Sequence, residues 1–307
     1  MNLKHLFIID PIEKLHIHDD TSLYLMDEII KNNHNVYYCT EYDIIISSQS
    51  KQCKASIYKD EKNEQKLYNL EDFDFIHIRK DPPFDMSYVT LLLLLQTLQN
   101  RMVINDPKAL LQHNEKMVIF NFPDVITDTL VSSNLLDIKS FVKELGGSAI
   151  LKPLYSCRGQ GVVLLNSKDQ NFENVIQEAT DNEIERVMIQ KFQSSIINGE
   201  TRVILIDGDL IATLKKIPKK GSIYTNLHSG ALLTTHELTP GELSLCKQIG
   251  EFCKKEGLFF TAIDIIDEKL SEINMTSPSL LRQADKIYNK NFARILLEKL
   301  QRKIIDS

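Results

Sequence analysis

An α/β protein with α+β subdomains is what this 307-residue sequence predicts, on three observations. The first third alternates strand-like apolar runs with helical spacings. The middle sets short strands around a glycine-containing turn. The last third carries two hairpin signatures on either side of a capped helix. The length exceeds one ordinary core and suits two or three subdomains.

The chain opens with Leu6–Ile9, an apolar run cut by Asp10 and Pro11, which reads as a buried strand. Ser22–Lys31 places Leu23, Met26, Ile29 and Ile30 at helical spacing. Asn35–Cys39 reads as the next strand and Phe73–Ile78 as another, ending at Arg79-Lys80-Asp81-Pro82-Pro83. The alternation predicts an open α/β sheet. Ligand groups in such sheets come from loops at the carboxyl ends of strands, where Asp10 and Arg79–Asp81 fall. The most apolar segment, Leu91–Leu95, is far shorter than the roughly twenty residues of a membrane span and reads as a buried helix.

A helix near Pro107–Phe120 carries Asn114-Glu115-Lys116, and a second near Asp137–Leu145 is stopped by Gly146-Gly147. Strands at Ala149–Leu151 and Val162–Leu165, a helix at Phe172–Ala179 and a strand at Val187–Phe192 complete what looks like a small lid. Lys152 ends the first lid strand and can reach toward a phosphate; a solvated surface lysine fits the same pattern, as it does for Lys116. Gly159 and Gly161 form a G-x-G turn, either a phosphate cradle of backbone amides or an ordinary β-turn. It is neither a P-loop nor a Rossmann fingerprint, because no G-K-[ST] follows and no helix opens directly.

In the last third, Arg202–Ile206 and Leu210–Lys216 flank Asp207-Gly208, a type I′ turn signal. Arg202 shares a face with Ile204 and Ile206 and so wants an anion, from the protein or from a substrate. Thr239, Pro240 and Glu242 form a capping box that starts a helix with Cys246, Ile249 and Cys253 on its core face, ended by Gly257. The second hairpin joins Phe259–Ile266 to Leu270–Asn274 through a turn at Asp267–Lys269. Centred on Glu268, it sets Asp264 opposite Glu272, with Asn274 on the same face. Facing carboxylates repel, so they need a cation, a shared proton or open solvent. Mg²⁺ takes such oxygen ligands; a solvated acidic face is the plainer alternative.

Hydrophobic residues are 43%, charged residues 25%, and the net charge is -6, which leaves no global electrostatic reason to bind nucleic acid. The five cysteines are scattered without C-x-x-C spacing, so neither a disulfide framework nor a zinc site is expected. With no signal-peptide pattern, a soluble cytoplasmic protein without membrane or nucleic-acid partners is expected.

Asp10-Pro11-Ile12, Arg79-Lys80-Asp81-Pro82-Pro83-Phe84-Asp85, Asn114-Glu115-Lys116, Leu151-Lys152-Pro153, Arg202-Val203 with Asp207-Gly208, Asp264-Ile265-Ile266 and Glu272-Ile273-Asn274-Met275-Thr276-Ser277-Pro278 follow one another in that order. Together they resemble prokaryotic glutathione synthetase over nearly the whole chain. The resemblance implies an ATP-grasp fold: an N-terminal pre-ATP-grasp Rossmann-like domain (1–121), a small lid subdomain (122–192) and a C-terminal subdomain with the metal site (193–307). It implies an ADP-forming ligase that joins γ-glutamylcysteine and glycine into glutathione using ATP and Mg²⁺, with Mn²⁺ as a substitute, in a homo-oligomer. By position, Lys116, Lys152, Gly159, Gly161, Gln190, Lys191 and Phe192 would hold the nucleotide. Asp264, Glu272 and Asn274 would bind the metal. Asp10, Arg79, Arg202 and Ser277 would face the dipeptide, and Arg202, Lys216 and Asn226 would act in catalysis. Two loops depart from the family pattern. Ser156 and Arg158 stand where it has glycines, and Lys219–Asn226 lacks its arginine. Weaker lid closure or a shifted dipeptide or amine acceptor is expected from this. The alternatives are another ATP-grasp carboxylate–amine ligase, or a degenerate nucleotide-binding relative.

Overall fold

The computed structural model describes residues 2–62, 64–98 and 102–305. Its first layer is a sheet in which β1 (Lys4–Ile8) lies between β2 (Asn35–Cys39) and β6 (Phe75–Ile78), with β7 (Met102–Ile104) beyond β6, all parallel. β4 (Lys51–Ile57) adds antiparallel to β2 and carries β3 (Ile44–Ile46) and β5 (Lys66–Asn69). A parallel strand covered on both faces must be apolar on both. Accordingly Leu6 and Ile8 enter one core, with α2 (Met86–Leu95), while Phe7 and Ile9 enter the other, with α1 (Thr21–Lys31). The strand order changes direction at β1 and β6. Beyond their carboxyl ends lie Asp10 and Asp81, joined by a hydrogen bond of 2.9 Å from the Asp81 backbone N–H to Asp10 Oδ2.

The single helix expected through Phe120 is broken. α3 covers Pro107–Gln112, His113 is extended, and a short 3₁₀ stretch follows at Met117–Asn121. The Asn114 side chain accepts from the backbone N–H groups of Lys116 and Met117, an alternative to helix continuation that asparagine readily offers. Lys116 therefore sits at a corner, not on a helix face.

A small antiparallel sheet follows, in the order β10 (Val163–Asn166), β9 (Ser148–Pro153), β11 (Val187–Lys191), β8 (Thr129–Ser132). One face packs Leu151 and Ile189 against α4 (Leu135–Glu144) and α5 (Phe172–Ala179). The third sheet is also antiparallel, in the order β14 (Leu232–Thr235), β13 (Asp209–Ile217), β12 (Glu200–Ile206), β15 (Phe260–Ile266), β16 (Lys269–Asn274). Val203, Leu205, Ile263 and Ile265 form its rear face against Cys246, Ile249 and Cys253 of α6 (Pro240–Lys255), which starts with the expected capping box. The opposite face divides. Ile204, Ile206 and Leu214 join the apolar core of α7 (Leu281–Tyr288) and α8 (Phe292–Ile305), while Glu200, Arg202, Lys216 and Asp264 form a charged half. α8 packs back onto α1 of the first layer.

The last hairpin turns at Asp267 and Glu268, with φ of 51° and 60°, and Lys269 already belongs to β16. A two-residue turn alone would set Asp264 against Ser271. The register shifts by one residue between Asp264 and Ile265, so Ser271 is the extra residue of a bulge and Asp264 does face Glu272. Asn105 ties the first layer to this sheet. Its Nδ2 donates to the carbonyls of Phe260 (2.8 Å) and Met275 (2.7 Å), and its Oδ1 accepts from the Phe260 N–H at 2.7 Å. No helix among the described residues is long and apolar enough to cross a membrane.

Candidate active site

A cavity of about 450 Å³ is lined by the small sheet, the charged half of the five-stranded sheet and loops of the first layer. Of the site residues expected from the sequence, all but Asp10 and Gly161 line it. Asp10 acts from behind, through its bond to the Asp81 N–H. Gly161 supports the loop: at φ +70°, a Cβ there would come within 2.7 Å of the Pro153 ring.

The strand pairing aligns Arg202 with Asp264 and Glu200 with Lys216. Asp264 Oδ1 accepts from Arg202 Nε at 2.6 Å and lies 3.2 Å from Lys216 Nζ. Its Oδ2 accepts from Arg202 Nη2 at 2.6 Å and Asn274 Nδ2 at 3.3 Å. A carboxylate has about four acceptor positions, so four donors saturate it. Burial alone would raise the Asp264 pKa; Arg202 and Lys216 outweigh that and hold the carboxyl well below the usual carboxylate range. Lys216 also reaches Glu200 at 2.5 Å. Glu272, half-buried beside this group, has no hydrogen bond or ion pair through its carboxylate among the described residues. Glu200 escaped the sequence reading, although strand alternation from Arg202 puts it on the same face.

Lys152 projects from β9 and donates to Ser271 Oγ, the bulge residue, at 2.9 Å. Burial lowers its pKa, and Glu272 and Glu200 oppose the drop. Lys116 is buried and donates to the Ser156 carbonyl at 2.7 Å. Neither lysine forms an ion pair within 4 Å among the described residues, so two ammonium groups face the cavity on neutral acceptors. Gln190, Lys191 and Phe192 border it where β11 passes toward the large sheet. Gln190 Nε2 donates to Thr129 Oγ1 at 3.2 Å and Lys191 Nζ lies 3.3 Å from Asp128.

On the first-layer side, buried Arg79 donates to Ser22 Oγ (3.1 Å) and to the Pro278 carbonyl (2.8 Å), and the Ser277 hydroxyl donates to the Arg79 carbonyl at 3.3 Å. Glu115, a motif residue given no role from sequence, accepts from Met275 N (2.7 Å), Thr276 N and Thr276 Oγ1 (both 2.9 Å). It fixes the segment that follows Asn274. Over the cavity, Asn226 Nδ2 donates to the Arg158 carbonyl at 3.0 Å and Thr225 Oγ1 donates to Glu200 at 2.7 Å. Gly159, at φ +75°, leaves room for this contact: a Cβ there would lie 3.1 Å from Asn226 Nδ2.

The donor chemistry around Glu272 fits a hard divalent cation. Glu272 and the Asn274 amide oxygen offer oxygen donors, while no group of three His, Cys, Asp or Glu side chains among the described residues could hold a metal alone. Mg²⁺ characteristically takes one or two carboxylates and completes its shell with water and substrate phosphates. Asp264 fits only if one of its four donors moves.

An open mixed sheet with a parallel centre, followed by two antiparallel sheets around a lysine- and carboxylate-lined cavity, defines an ATP-grasp ligase. Two family models match: "Prokaryotic glutathione synthetase, N-terminal domain" over residues 3–110 and "Prokaryotic glutathione synthetase, ATP-grasp domain" over residues 115–289. The glutathione synthetase of Prochlorococcus marinus subsp. pastoris is 33% identical over 97% of this chain and 99% of its own length. That of Coxiella burnetii is 35% identical over 95% and 94%. The chain belongs to the prokaryotic glutathione synthetase family. Among solved structures, the D-cycloserine synthetase DcsG aligns with a TM-score of 0.69 at 14% identity, over 96% of this chain and 99% of its own. The ATP-grasp ligase PsnB, complexed with a variant of its minimal precursor, Mg and ADP, aligns at 0.64 and 14%, over 99% and 100%. These two likenesses concern the fold.

Proposed function

We propose that this chain joins the cysteinyl carboxylate of γ-glutamylcysteine to the amine of glycine, cleaving ATP to ADP and phosphate through an acyl phosphate. The observation that carries this reading is one cavity in which, among the described residues, Lys116 and Lys152 have no carboxylate within 4 Å and Glu272 has no cation within 4 Å. Such a set awaits a ligand that brings both negative charge and a metal ion, as a nucleotide triphosphate does.

Lys116 and Lys152 would hold phosphate oxygens, with the Ser156–Gly159 backbone beside them and Gln190, Lys191 and Phe192 at the adenine end. Glu272 and Asn274 would hold Mg²⁺ or Mn²⁺, with Asp264 joining if phosphate draws Lys216 or Arg202 away. The bound ion would supply Lewis-acid neutralisation of phosphate charge. Arg79, Arg202 and Ser277 would face the dipeptide, with Asp10 steadying the 79–81 loop.

A free carboxylate is a poor electrophile. Its oxygen attacks the γ-phosphorus, ADP leaves, and the acyl phosphate that results has a good leaving group. The glycine amine then attacks the carbonyl carbon and phosphate departs. Arg202 and Lys216 sit where charge builds on the reacting oxygens, and preorganised cations there lower the barrier. The Asn226 loop excludes water from the acyl phosphate. The boundaries 1–121, 122–192 and 193–307, and a homo-oligomeric state, belong to the same proposal.

ADP and tripeptide should appear together only when ATP, a divalent cation, γ-glutamylcysteine and glycine are all present. A coupled ADP assay with chromatography of the product, leaving out one component at a time, checks this. Unchanged ADP release without the dipeptide would sink the assignment.

A further inference from the structure

Three segments that border the cavity meet at Arg158. Its guanidinium pairs with the Asp81 carboxylate, on the loop after β6 whose backbone is fixed by Asp10. Its carbonyl accepts from Asn226 of the segment between β13 and β14. Its own loop, between β9 and β10, is held from below by Lys116 on the Ser156 carbonyl, and Tyr224 OH donates to the neighbouring Val162 carbonyl at 3.3 Å. Arg158 adopts φ +56°, a region that non-glycine residues enter only when their surroundings hold them there. Here the holding contacts come from two other parts of the chain.

We propose that Arg158 is a positioning residue, a latch whose ion pair with Asp81 holds the 155–162 loop and the Asn226 segment closed over the reacting groups. The pair's side chains are 51% and 30% exposed. A pair so exposed is weak, which lets a latch open for substrate entry and product exit in every cycle. The proposal rests on the reaction assigned above. With the latch gone, water reaches the acyl phosphate. Water's oxygen adds at the carbonyl carbon, the bond to the phosphate oxygen breaks, and the carboxylate and inorganic phosphate are released with a proton to solvent. ATP is then consumed without tripeptide.

The test compares ADP released with tripeptide formed, in wild type, in Arg158→Ala and in the exchanged pair Arg158→Asp with Asp81→Arg. The ratio should stand near one in wild type, rise about two- to fivefold in Arg158→Ala, as expected for loss of an exposed pair, and fall back in the exchanged pair. A ratio unchanged in Arg158→Ala, or an exchanged pair no better than the single variant, would overturn the latch. Should Arg158→Ala not fold, added KCl should raise the wild-type ratio by screening the pair, and a flat response counts against it. If wild type forms no tripeptide at all, the reaction is wrong and the latch is read separately. Limited proteolysis within 155–162 should then run faster in Arg158→Gln, which removes the charge, or at high salt, and equal rates reject it.

Discussion

In the parallel sheet, His5 and His77 lie buried with their Nδ1 and Nε2 3.0 Å apart, His5 stacked on Phe75 (4.9 Å) and His77 on Phe7 (4.2 Å). Burial, with a smaller push from His34, lowers the His5 pKa to about 3, and burial holds His77 well below its ordinary value. In the five-stranded sheet, Glu200, Arg202, Lys216 and Asp264 are also buried, but there acidic and basic side chains face each other across the strands, and Arg202 and Lys216 hold the Asp264 carboxyl well below its ordinary range. The difference shows that burial of polar groups does not by itself mark a site. The histidines are packing pieces kept neutral. The acid–base cluster borders a cavity, where a ligand can compete for its ion-pair partners.

The largest effect should come from breaking the charged cluster. Asp264→Asn leaves Arg202 and Lys216 buried without their central carboxylate. A loss of about 3–5 kcal/mol in urea unfolding is expected, with at least a roughly hundredfold fall in ADP-forming turnover. Wild-type stability in this variant would erase the distinction between the two regions. Next is the joint between them. Asn105→Ala removes three buried hydrogen bonds and should cost about 3 kcal/mol with its unsatisfied partners, read by the same unfolding assay.

The smallest effect separates the regions by pH. A histidine whose folded pKa is depressed binds protons more readily when unfolded, so stability falls as pH drops below the ordinary value of about 6.5. Between pH 7 and 5, His5 should remove about 1–2 kcal/mol. Asp264, depressed as a carboxylate, stays fully stabilising until the pH nears the free aspartate value of about 4, and its contribution is lost below that. Replacing both His5 and His77 by leucine should lessen the upper slope to what His34, also depressed by burial, contributes, and leave the lower one. Thermal unfolding across this pH range reads both, and a slope unchanged by the double replacement would reject the histidine assignment.

Much of this was legible in the residues themselves, where local chemistry decides. The capping box at Thr239 and the turn at Asp207-Gly208 formed where the signals lie. So did the two loci at the ends of β1 and β6. Other features depend on pairing and packing. The local sequence centres the last hairpin on Glu268. Its turn is one residue tighter, and the bulge at Ser271 restores Asp264 opposite Glu272; nothing in the local sequence distinguishes the two routes. The strands β3, β5, β8 and β14 are short, none is mostly buried, and each is supported by its neighbours, so no periodicity announces them. Saturation of Asp264 by four donors, and Ser271 as a cavity residue, follow from cross-strand register, whereas alternation along β12 from Arg202 already places Glu200 on the same face. The absence of an arginine in Lys219–Asn226 suggested a looser lid. Contacts from Asn226 and Tyr224 to the 155–162 loop are nevertheless made, and Arg158 supplies a charge there.

The central claim is that the carboxylate is activated as an acyl phosphate within this cavity, and oxygen transfer tests it most directly. With both oxygens of the cysteinyl carboxylate of γ-glutamylcysteine labelled as ¹⁸O, one labelled oxygen should leave in inorganic phosphate for each tripeptide formed, seen by mass spectrometry or phosphorus NMR. Unlabelled phosphate beside labelled tripeptide, or label appearing in AMP, would contradict the mechanism.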